Sequence, residues 1–135
     1  MIPRLFLNQL TPLNLLSFGP ETAPINLNAL NVLIGPNGSG KSNFIEAIAL
    51  LRASARDVRA GLEGGVSDWV WKGDPLGVAS LEAVLENPYG DQNLRHRLAF
   101  RAEQQTFRLK DEQIENVEPY PGQRQAYFYY HYQNG

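Results

Sequence analysis

The chain has 135 residues, of which 43% are hydrophobic and 19% are charged, and its formal net charge is −2. This length allows at most one domain, and the apolar content is sufficient for a core and argues against a disordered chain. The charge gives no sign of a globally basic nucleic-acid-binding protein, and the absence of cysteine excludes disulfides and thiolate metal sites.

The first part of the chain predicts short strands and no targeting segment. Residues 1–9 turn polar too soon for a secretory signal, and no run of 18 apolar residues exists, so we expect a cytoplasmic protein without a membrane partner. Leu5–Leu10 and Leu13–Phe18 predict two strands, which a Gly- and Pro-containing turn separates from Ile25–Leu27. Leu30–Ile34 then predicts a short buried strand.

Residues 35–42 have the sequence Gly-Pro-Asn-Gly-Ser-Gly-Lys-Ser, which fits the phosphate-binding loop pattern. The loop follows the predicted strand Leu30–Ile34 and precedes a predicted helix from Ser42 to about Ala55. Strand, loop and helix in this order are the context that distinguishes a nucleotide site from an ordinary Gly-rich turn. The predicted helix has apolar residues at helical spacing, namely Phe44, Ile45, Ile48, Leu51 and Ala55.

The residue types of the loop suit a nucleotide phosphate. Gly38 and Gly40 lack a side chain, so the backbone can adopt unusual angles and bring its N–H groups to the phosphates, next to the positive end of the helix. Lys41 is expected on the outer phosphates, and the Ser42 hydroxyl is expected to be a ligand of Mg²⁺. Asn37 has two interpretations, a turn former or an amide beside the outermost phosphate or the attacking water.

The remainder of the chain predicts an antiparallel meander. This part begins with a Gly-rich segment at residues 61–66, which is followed by Trp69 and Trp71. Both tryptophans lie on the same side of an extended segment, and we expect that side to pack on the sheet. From residue 78 onward apolar and polar residues alternate, with turns at residues 87–90 and 120–122 and a last strand over Ala126–Tyr132. Asn134-Gly135 is a hairpin-turn signal, from which we expect a returning strand in a longer chain.

Residues 30–43, after the N-terminal strands, resemble the opening of ABC-type ATPases of the RecF and structural-maintenance-of-chromosomes class. The nearest resemblance is to bacterial AAA-family ATPases related to the overcoming-lysogenization-defect group, and it is most specific over residues 25–52. It implies an α/β P-loop NTPase fold, the first lobe of an ABC-type ATPase, with a central P-loop strand and helix and a largely antiparallel meander. Residues 1–135 would then be the N-terminal part of a single ATPase domain.

The resemblance also implies a site and partners. ATP and Mg²⁺ are the implied cofactors, a homodimer or larger self-assembly is the implied state, and DNA is a possible partner of the complete protein. Hydrolysis in the complete protein would drive engagement of two nucleotide-binding domains. The implied nucleotide contacts are Asn37, Gly38, Ser39, Gly40, Lys41 and Ser42, and Ser42 is also the implied metal ligand. Asn43 matches the residue that usually follows this Ser or Thr in the family and is included as a further implied contact.

The parts that such ATPases need for hydrolysis are not recognisable, so no catalytic residue is identified. Ala83–Glu86 is the nearest match to a second acidic strand, with Glu86 as the acid to test. Residues 62–66 superficially resemble a signature loop but lack its Ser. His96 and His131 are interpreted as structural or surface residues. We therefore expect this chain alone to bind ATP without efficient turnover.

Three alternatives remain open from the sequence. The first is a nucleotide-binding module that does not hydrolyse. The second is an interaction or nucleic-acid-binding domain that uses residues 94–110, where five cations and one carboxylate give a net charge of +4. Residues 111–118 carry four carboxylates, so pairing between neighbouring strands is the simpler interpretation of both segments. The third is a GTPase, but a guanine-recognition motif is absent.

Overall fold

A computed structural model describes residues 6–36, 38, 40–62 and 65–132. The elements in these ranges are β1 (Leu7–Leu13), β2 (Ile25–Asn26), α1 (Lys41–Ser54), β3 (Ala79–Leu85), β4 (Leu94–Glu103), β5 (Thr106–Asn116) and β6 (Phe128–His131). The strands form a six-stranded sheet of order β2-β1-β3-β4-β5-β6, in which every neighbouring pair is antiparallel. Helix α1 packs on this sheet, and two short 3₁₀ turns follow the helix at Val58–Gly61 and Val66–Asp68.

The sheet has one apolar and one charged face because apolar and polar residues alternate along its central strands. On the apolar face, Leu81 lies opposite Leu98 and Ala79 lies opposite Phe100, and all four side chains are buried. On the other face, Glu82 lies opposite Arg97. The helix packs on the apolar face, and this leaves the charged face without a helix among the described residues.

The buried face of α1 differs in part from the predicted one. Phe44, Ala47 and Leu50 are buried in the core, whereas Ile45 is 60% exposed. The spacing of three residues between the buried positions matches one face of the helix, and Ile48 and Leu51 lie at its margin. The helix bounds agree with the prediction within a residue.

The predicted meander is confirmed in β3, β4, β5 and β6. The N-terminal prediction is partly wrong, because β1 is followed by a tight turn instead of a second strand over Leu13–Phe18. In this turn Asn14 and Leu16 have φ of 51° and 53°, and the Leu15 amide donates to the Phe18 carbonyl at 3.0 Å. The buried Leu15 side chain stabilises the turn from the core.

The predicted buried strand at Leu30–Ile34 is not formed. The ladder between β1 and its neighbour ends at Leu27, whose amide donates to the Asn8 carbonyl at 2.9 Å. The Asn31 side chain then makes two hydrogen bonds of 2.8 Å with the backbone of Asn28: its Oδ1 accepts from the Asn28 N–H and its Nδ2 donates to the Asn28 carbonyl. The apolar side chains of this segment are 43% to 90% exposed. A strand needs a neighbour for its backbone groups, and no described segment pairs with residues 30–34.

The segment between α1 and β3 joins the core through Trp69. This side chain is buried, while Val70 forms a bridge with Leu15. The Trp71 ring covers Gly19 and Gly73, where a Cβ atom would lie 3.3 and 2.2 Å from it. Within the described ranges, no helix is long and apolar enough to cross a membrane.

Candidate nucleotide-binding site

The described glycines of the loop adopt the geometry that the sequence predicts. Gly38 and Gly40 have φ of 84° and 99°, in the left-handed region that side chains with a Cβ rarely adopt. Gly40 is also the residue that caps α1, and its carbonyl accepts the first helical hydrogen bond from the Phe44 amide at 2.9 Å. The loop therefore leads directly into the helix.

The start of α1 is favourable for an anion. No side chain caps it, and its first turn, residues 41–44, carries no acidic residue. The backbone N–H groups of a first turn lack partners within the helix, and the helix dipole gives this end partial positive charge. A phosphate placed here would meet donors and positive potential together.

Lys41 and Ser42 occupy different environments. The half-buried Lys41 ammonium donates a hydrogen bond to the Gly35 carbonyl, so its side chain folds back over the loop. The Ser42 side chain is exposed, and Asn43 is partly buried beside it. The structure thus brings together Gly35, Gly40 and Lys41, while Asn37 and Ser39 lie outside the described residues.

The site lies at the end of the sheet where β1 finishes. A Cβ atom at Gly40 would lie 3.3 Å from the Ser17 hydroxyl oxygen, so the loop contacts the turn that follows β1. Sequence reasoning did not connect Ser17 with the loop. The contact depends on a tight turn that no motif marks.

Glu86 is at the other end of the sheet. Its amide donates to the Phe6 carbonyl at 2.8 Å, next to the start of β1. A cavity beside this end is lined by Leu85 of β3 and by Ser54 and Ala55 from the end of α1. Glu86 therefore lies near the end of α1 that is opposite the loop, and this position does not favour Glu86 as the missing catalytic acid.

Both histidines lie in strands of the sheet, each beside a carboxylate. His96 is buried in β4, and its Nε2 lies 3.4 Å from Glu112 Oε1. His131 belongs to β6, with Nε2 3.7 Å from Asp111 Oδ1. These pairs agree with the structural interpretation of both residues. Among the described residues, no group of three or more His, Cys, Asp or Glu side chains could hold a metal ion.

The charged face of the sheet is largely paired. Arg95 lies 3.1 Å from both Glu82 and Glu115, and Arg97 lies 3.7 Å from Asp111. These contacts agree with the simpler interpretation of residues 94–118, in which neighbouring strands neutralise one another. The central part of this face is therefore a poor polyanion-binding surface.

The chain is similar to known proteins in sequence and in fold. A family model described as "AAA domain, putative AbiEii toxin, Type IV TA system" matches residues 30–133. The chromosome partition protein Smc of Coxiella burnetii (strain RSA 493 / Nine Mile phase I) is 34% identical over 77 residues, which are 53% of this chain and 6% of that protein. The chain thus matches only a small part of the length of this curated relative.

A solved structure has a similar fold. It comes from work described as "Structural biochemistry of ATP-driven dimerization and DNA stimulated activation of SMC ATPases", and the superposition has a TM-score of 0.65. The match covers 83% of this chain and 70% of that chain at 20% identity, so it supports the fold class alone. Because the family model covers most of the chain, the chain belongs to this AAA-domain family, and its fold is that of a P-loop NTPase lobe.

Proposed function

We propose that the chain binds ATP with Mg²⁺ through residues 35–42 and forms the N-terminal part of a longer ATPase domain. The observation that carries the proposal is the loop itself, in which left-handed glycines lead into an uncapped helix start and Lys41 folds over the loop. Family membership supports nucleotide binding and ATPase-type function in general. Asn37, Ser39 and Asn43 stay predicted contacts.

The described residues fit a nucleotide phosphate and its metal ion. Mg²⁺ takes few protein ligands and keeps waters and phosphate oxygens. One exposed hydroxyl, that of Ser42, at an anion-binding helix end is therefore a sufficient protein contribution. When bound, the ion would neutralise charge on the phosphates. Lys41 would exchange its hydrogen bond with Gly35 for the outer phosphates.

Hydrolysis is proposed only for a longer protein. Attack on a phosphate needs a group that positions water and further positive charge in the transition state. The described chain places no acidic residue in the first turn of α1, and Glu86 lies at the far end of the helix. We propose that the missing groups come from further sequence and from a second copy, and that residues 1–135 alone turn over ATP slowly or not at all.

Self-assembly, DNA binding and location complete the proposal. The similar solved structure is described in terms of ATP-driven dimerization and DNA stimulated activation, which suggests a dimer and a DNA partner for the complete form of this protein. A chain without cysteine is compatible with the reducing cytoplasm. A nucleotide-binding module without hydrolysis remains the alternative, and the observed loop fits it equally well.

Calorimetric titration with Mg²⁺ and ATP tests the proposal. Lys41→Ala should weaken binding about ten- to hundredfold, because a charge-assisted hydrogen bond contributes about 1.5–3 kcal/mol. Arg52→Ala is the matched control, since it removes one exposed cation from the other end of the same helix. It should bind as the wild type does. Equal affinity for the wild type and Lys41→Ala would refute the assignment of the loop.

A further inference from the structure

The loop between β5 and β6 contains a turn that fixes the backbone at Tyr120. The Gln123 amide donates a hydrogen bond to the Tyr120 carbonyl at 2.9 Å, and Gly122 between them has φ of 84°. Pro121 and Gly122 are the residues that such a turn favours at its two central positions, because proline restricts φ and glycine accepts a positive φ. The Tyr120 side chain therefore projects from a rigid turn.

Two side-chain hydrogen bonds tie this loop to the turn between β3 and β4. The Glu118 amide donates to Gln92 Oε1 at 2.8 Å, and the Tyr120 hydroxyl donates to Asp91 Oδ1 at 3.2 Å. An open cavity of about 460 Å³ lies where the two segments meet. Its walls are therefore held in place before any ligand binds, which reduces the entropy cost of binding.

The cavity carries negative charge. Asp91 and Glu118 contribute carboxylates to its wall, and none of the described residues that line it is Lys or Arg. Within the described ranges neither carboxylate has an ion-pair partner, whereas Glu115 in β5 lies 3.1 Å from an arginine. A cleft lined by charges of one sign concentrates ions of the opposite sign. A cation is therefore the ligand that this cavity attracts.

Tyrosine rings lie beside the cavity. Tyr127 and Tyr129 pack edge to face, with 5.0 Å between ring centroids and 73° between ring planes, and both are more than half exposed. Partial burial raises the pKa of the Tyr129 hydroxyl, and the nearby Tyr120 and Asp91 raise it further. Tyr129 is thus close to the Asp91 end of the cavity. A carboxylate that opposes negative charge at this ring favours positive charge there.

Aromatic rings beside carboxylates suit an organic cation better than a metal ion. The face of an aromatic ring is partially negative and attracts a cation that lies over it, and methylated ammonium groups are bound in this way. A metal ion requires more oxygen ligands than two carboxylates supply. Among the described residues, no group of three or more His, Cys, Asp or Glu side chains could hold one.

We name the set Asp91, Glu118, Tyr120, Tyr127 and Tyr129 the tyrosine pocket. We propose that the tyrosine pocket binds a methylated organic ammonium ion, with the methyl groups against the rings and the charge beside the carboxylates. The ion is either a free small molecule of the choline type or the side chain of a methylated lysine. The pocket lies at the end of the sheet where β1 begins, away from the nucleotide loop, because Leu7 pairs with Leu85 just before this turn. Binding there does not require ATP.

The test is titration of the isotope-labelled chain with choline, followed by amide NMR signals. Choline should shift the signals of residues 91–93, 117–120 and 127–129 and leave those of Gly38 and Gly40 in place. The matched control ligand is the uncharged analogue of choline in which a carbon atom replaces the nitrogen. It has the same shape and should bind at least about tenfold more weakly. Equal binding of the two compounds, or no shifts with choline, would overturn the proposal.

Variants of Tyr129 separate the ring from general packing. Tyr129→Leu should weaken choline binding about three- to thirtyfold, because it removes the ring face but keeps an apolar side chain. Tyr129→Phe keeps the ring and should bind within about twofold of the wild type. Tyr89→Leu, at a tyrosine that is 99% exposed in the turn between β3 and β4, is the matched control and should not change binding. Unchanged affinity in Tyr129→Leu, or an equal loss in Tyr89→Leu, would refute the site.

The carboxylate is tested by Asp91→Asn, which retains an oxygen that can accept the hydrogen bond from Tyr120. This variant should bind choline several-fold more weakly, and its affinity should depend less on salt. Glu21→Gln removes an exposed carboxylate from the turn before β2 and is the control. Circular dichroism checks that each variant is folded. Equal affinities of folded Asp91→Asn and the wild type would contradict the proposed role of the charge.

A peptide that contains trimethyl-lysine distinguishes the two sources of the ammonium group. If this peptide binds at least about tenfold more tightly than choline, and Tyr129→Leu weakens both, the natural ligand is a protein side chain. Similar affinities indicate a small molecule. The same peptide with norleucine in place of the modified lysine should not bind, and binding of that control would refute the proposal. Lys41→Ala should bind choline normally, which separates this pocket from the nucleotide site.

Discussion

Glu103 holds together the positively charged end of the β4–β5 hairpin. The hydrogen bond from Arg101 is the main cause that lowers the pKa of the Glu103 carboxyl, partial burial opposes it, and Lys110 adds to the lowering. Because the folded-state pKa lies below the unfolded value, the ionised carboxylate stabilises the fold. This contribution is complete above the unfolded pKa and is lost as pH falls through the folded-state value.

We predict that Glu103→Gln destabilises the protein at about pH 7 and destabilises it less at about pH 3, because the stabilising contribution of the wild-type carboxylate decreases as the pH falls below the unfolded pKa and is lost through the lowered folded-state pKa. Without the carboxylate, Arg101, Arg108 and Lys110 repel one another. Urea denaturation of both proteins at the two pH values measures the difference. A difference in the free energy of unfolding that does not change with pH would contradict the pairing.

Residues with left-handed backbone angles differ in how well the sequence predicted their conformation. Gly38 and Gly40 were predicted to adopt unusual backbone angles, and they do, because only the absence of a side chain makes such angles inexpensive. Gln104 and Gln105 adopt left-handed angles as well, but glutamine is not a turn signal. The alternation of apolar and polar residues continues beyond these two glutamines, so the sequence did not predict the hairpin turn that the structure has there.

At the scale of elements, α1 is the part that joins the nucleotide loop to the sheet. Leu50 is fully buried in the core, whereas Ile45 on the same helix is 60% exposed. Gly61 packs closely on the helix, since a Cβ atom there would lie 2.7 Å from Ala53 Cβ. The position of the helix thus depends on one buried face.

Leu50→Ala should lower the free energy of unfolding by about 2–5 kcal/mol, because it removes buried methyl groups and leaves a cavity. Ile45→Ala, the matched change on the exposed face, should cost less than about 1 kcal/mol. Chemical denaturation, followed by a spectroscopic signal from Trp69, measures the free energy of unfolding of both variants. Similar losses for the two variants would mean that α1 is packed differently.

The elements also differ in predictability. Helix α1 and the strands β3 to β5 follow from local periodicity, whereas β6, whose four residues are all exposed, follows from its aromatic, strand-favouring composition. The segment at residues 30–34 has the composition of a strand, yet its backbone has no described partner. Composition determines whether a segment can be a strand, but only a neighbour makes it one.

At the scale of the whole molecule, β6 forms an edge of the sheet. Its Phe128, Tyr129 and Tyr130 side chains are exposed, and Tyr127 packs edge-on against Tyr129 at 5.0 Å. An exposed aromatic edge can pair with another chain through its backbone groups.

We predict that the chain self-associates through β6, and that Tyr129→Lys shifts it towards monomer because edge lysines oppose pairing. Light scattering over a range of concentrations measures the shift. Tyr89→Lys is the control, since Tyr89 is 99% exposed in the turn between β3 and β4. A wild type that is monomeric at every concentration would refute the prediction.

The backbone angles of Gly38 and Gly40 and the helix that follows them were predictable because they belong to a continuous motif. The contact between Gly40 and Ser17 and the separation of Glu86 from the loop depend on how β1, β3 and α1 come together. Such relations arise from tertiary packing, and neither composition nor spacing contains them.

Amide signals can locate bound nucleotide residue by residue. In amide NMR spectra of the labelled chain, addition of Mg²⁺ and ATP should shift the signals of Gly35, Gly38, residues 40–44 and Ser17. The signals of Glu86 and β6 should stay in place. The same addition to Lys41→Ala should produce much smaller shifts at equal nucleotide concentration. Shifts centred away from residues 35–44, or no shifts at saturating nucleotide, would show that the loop is not the nucleotide site.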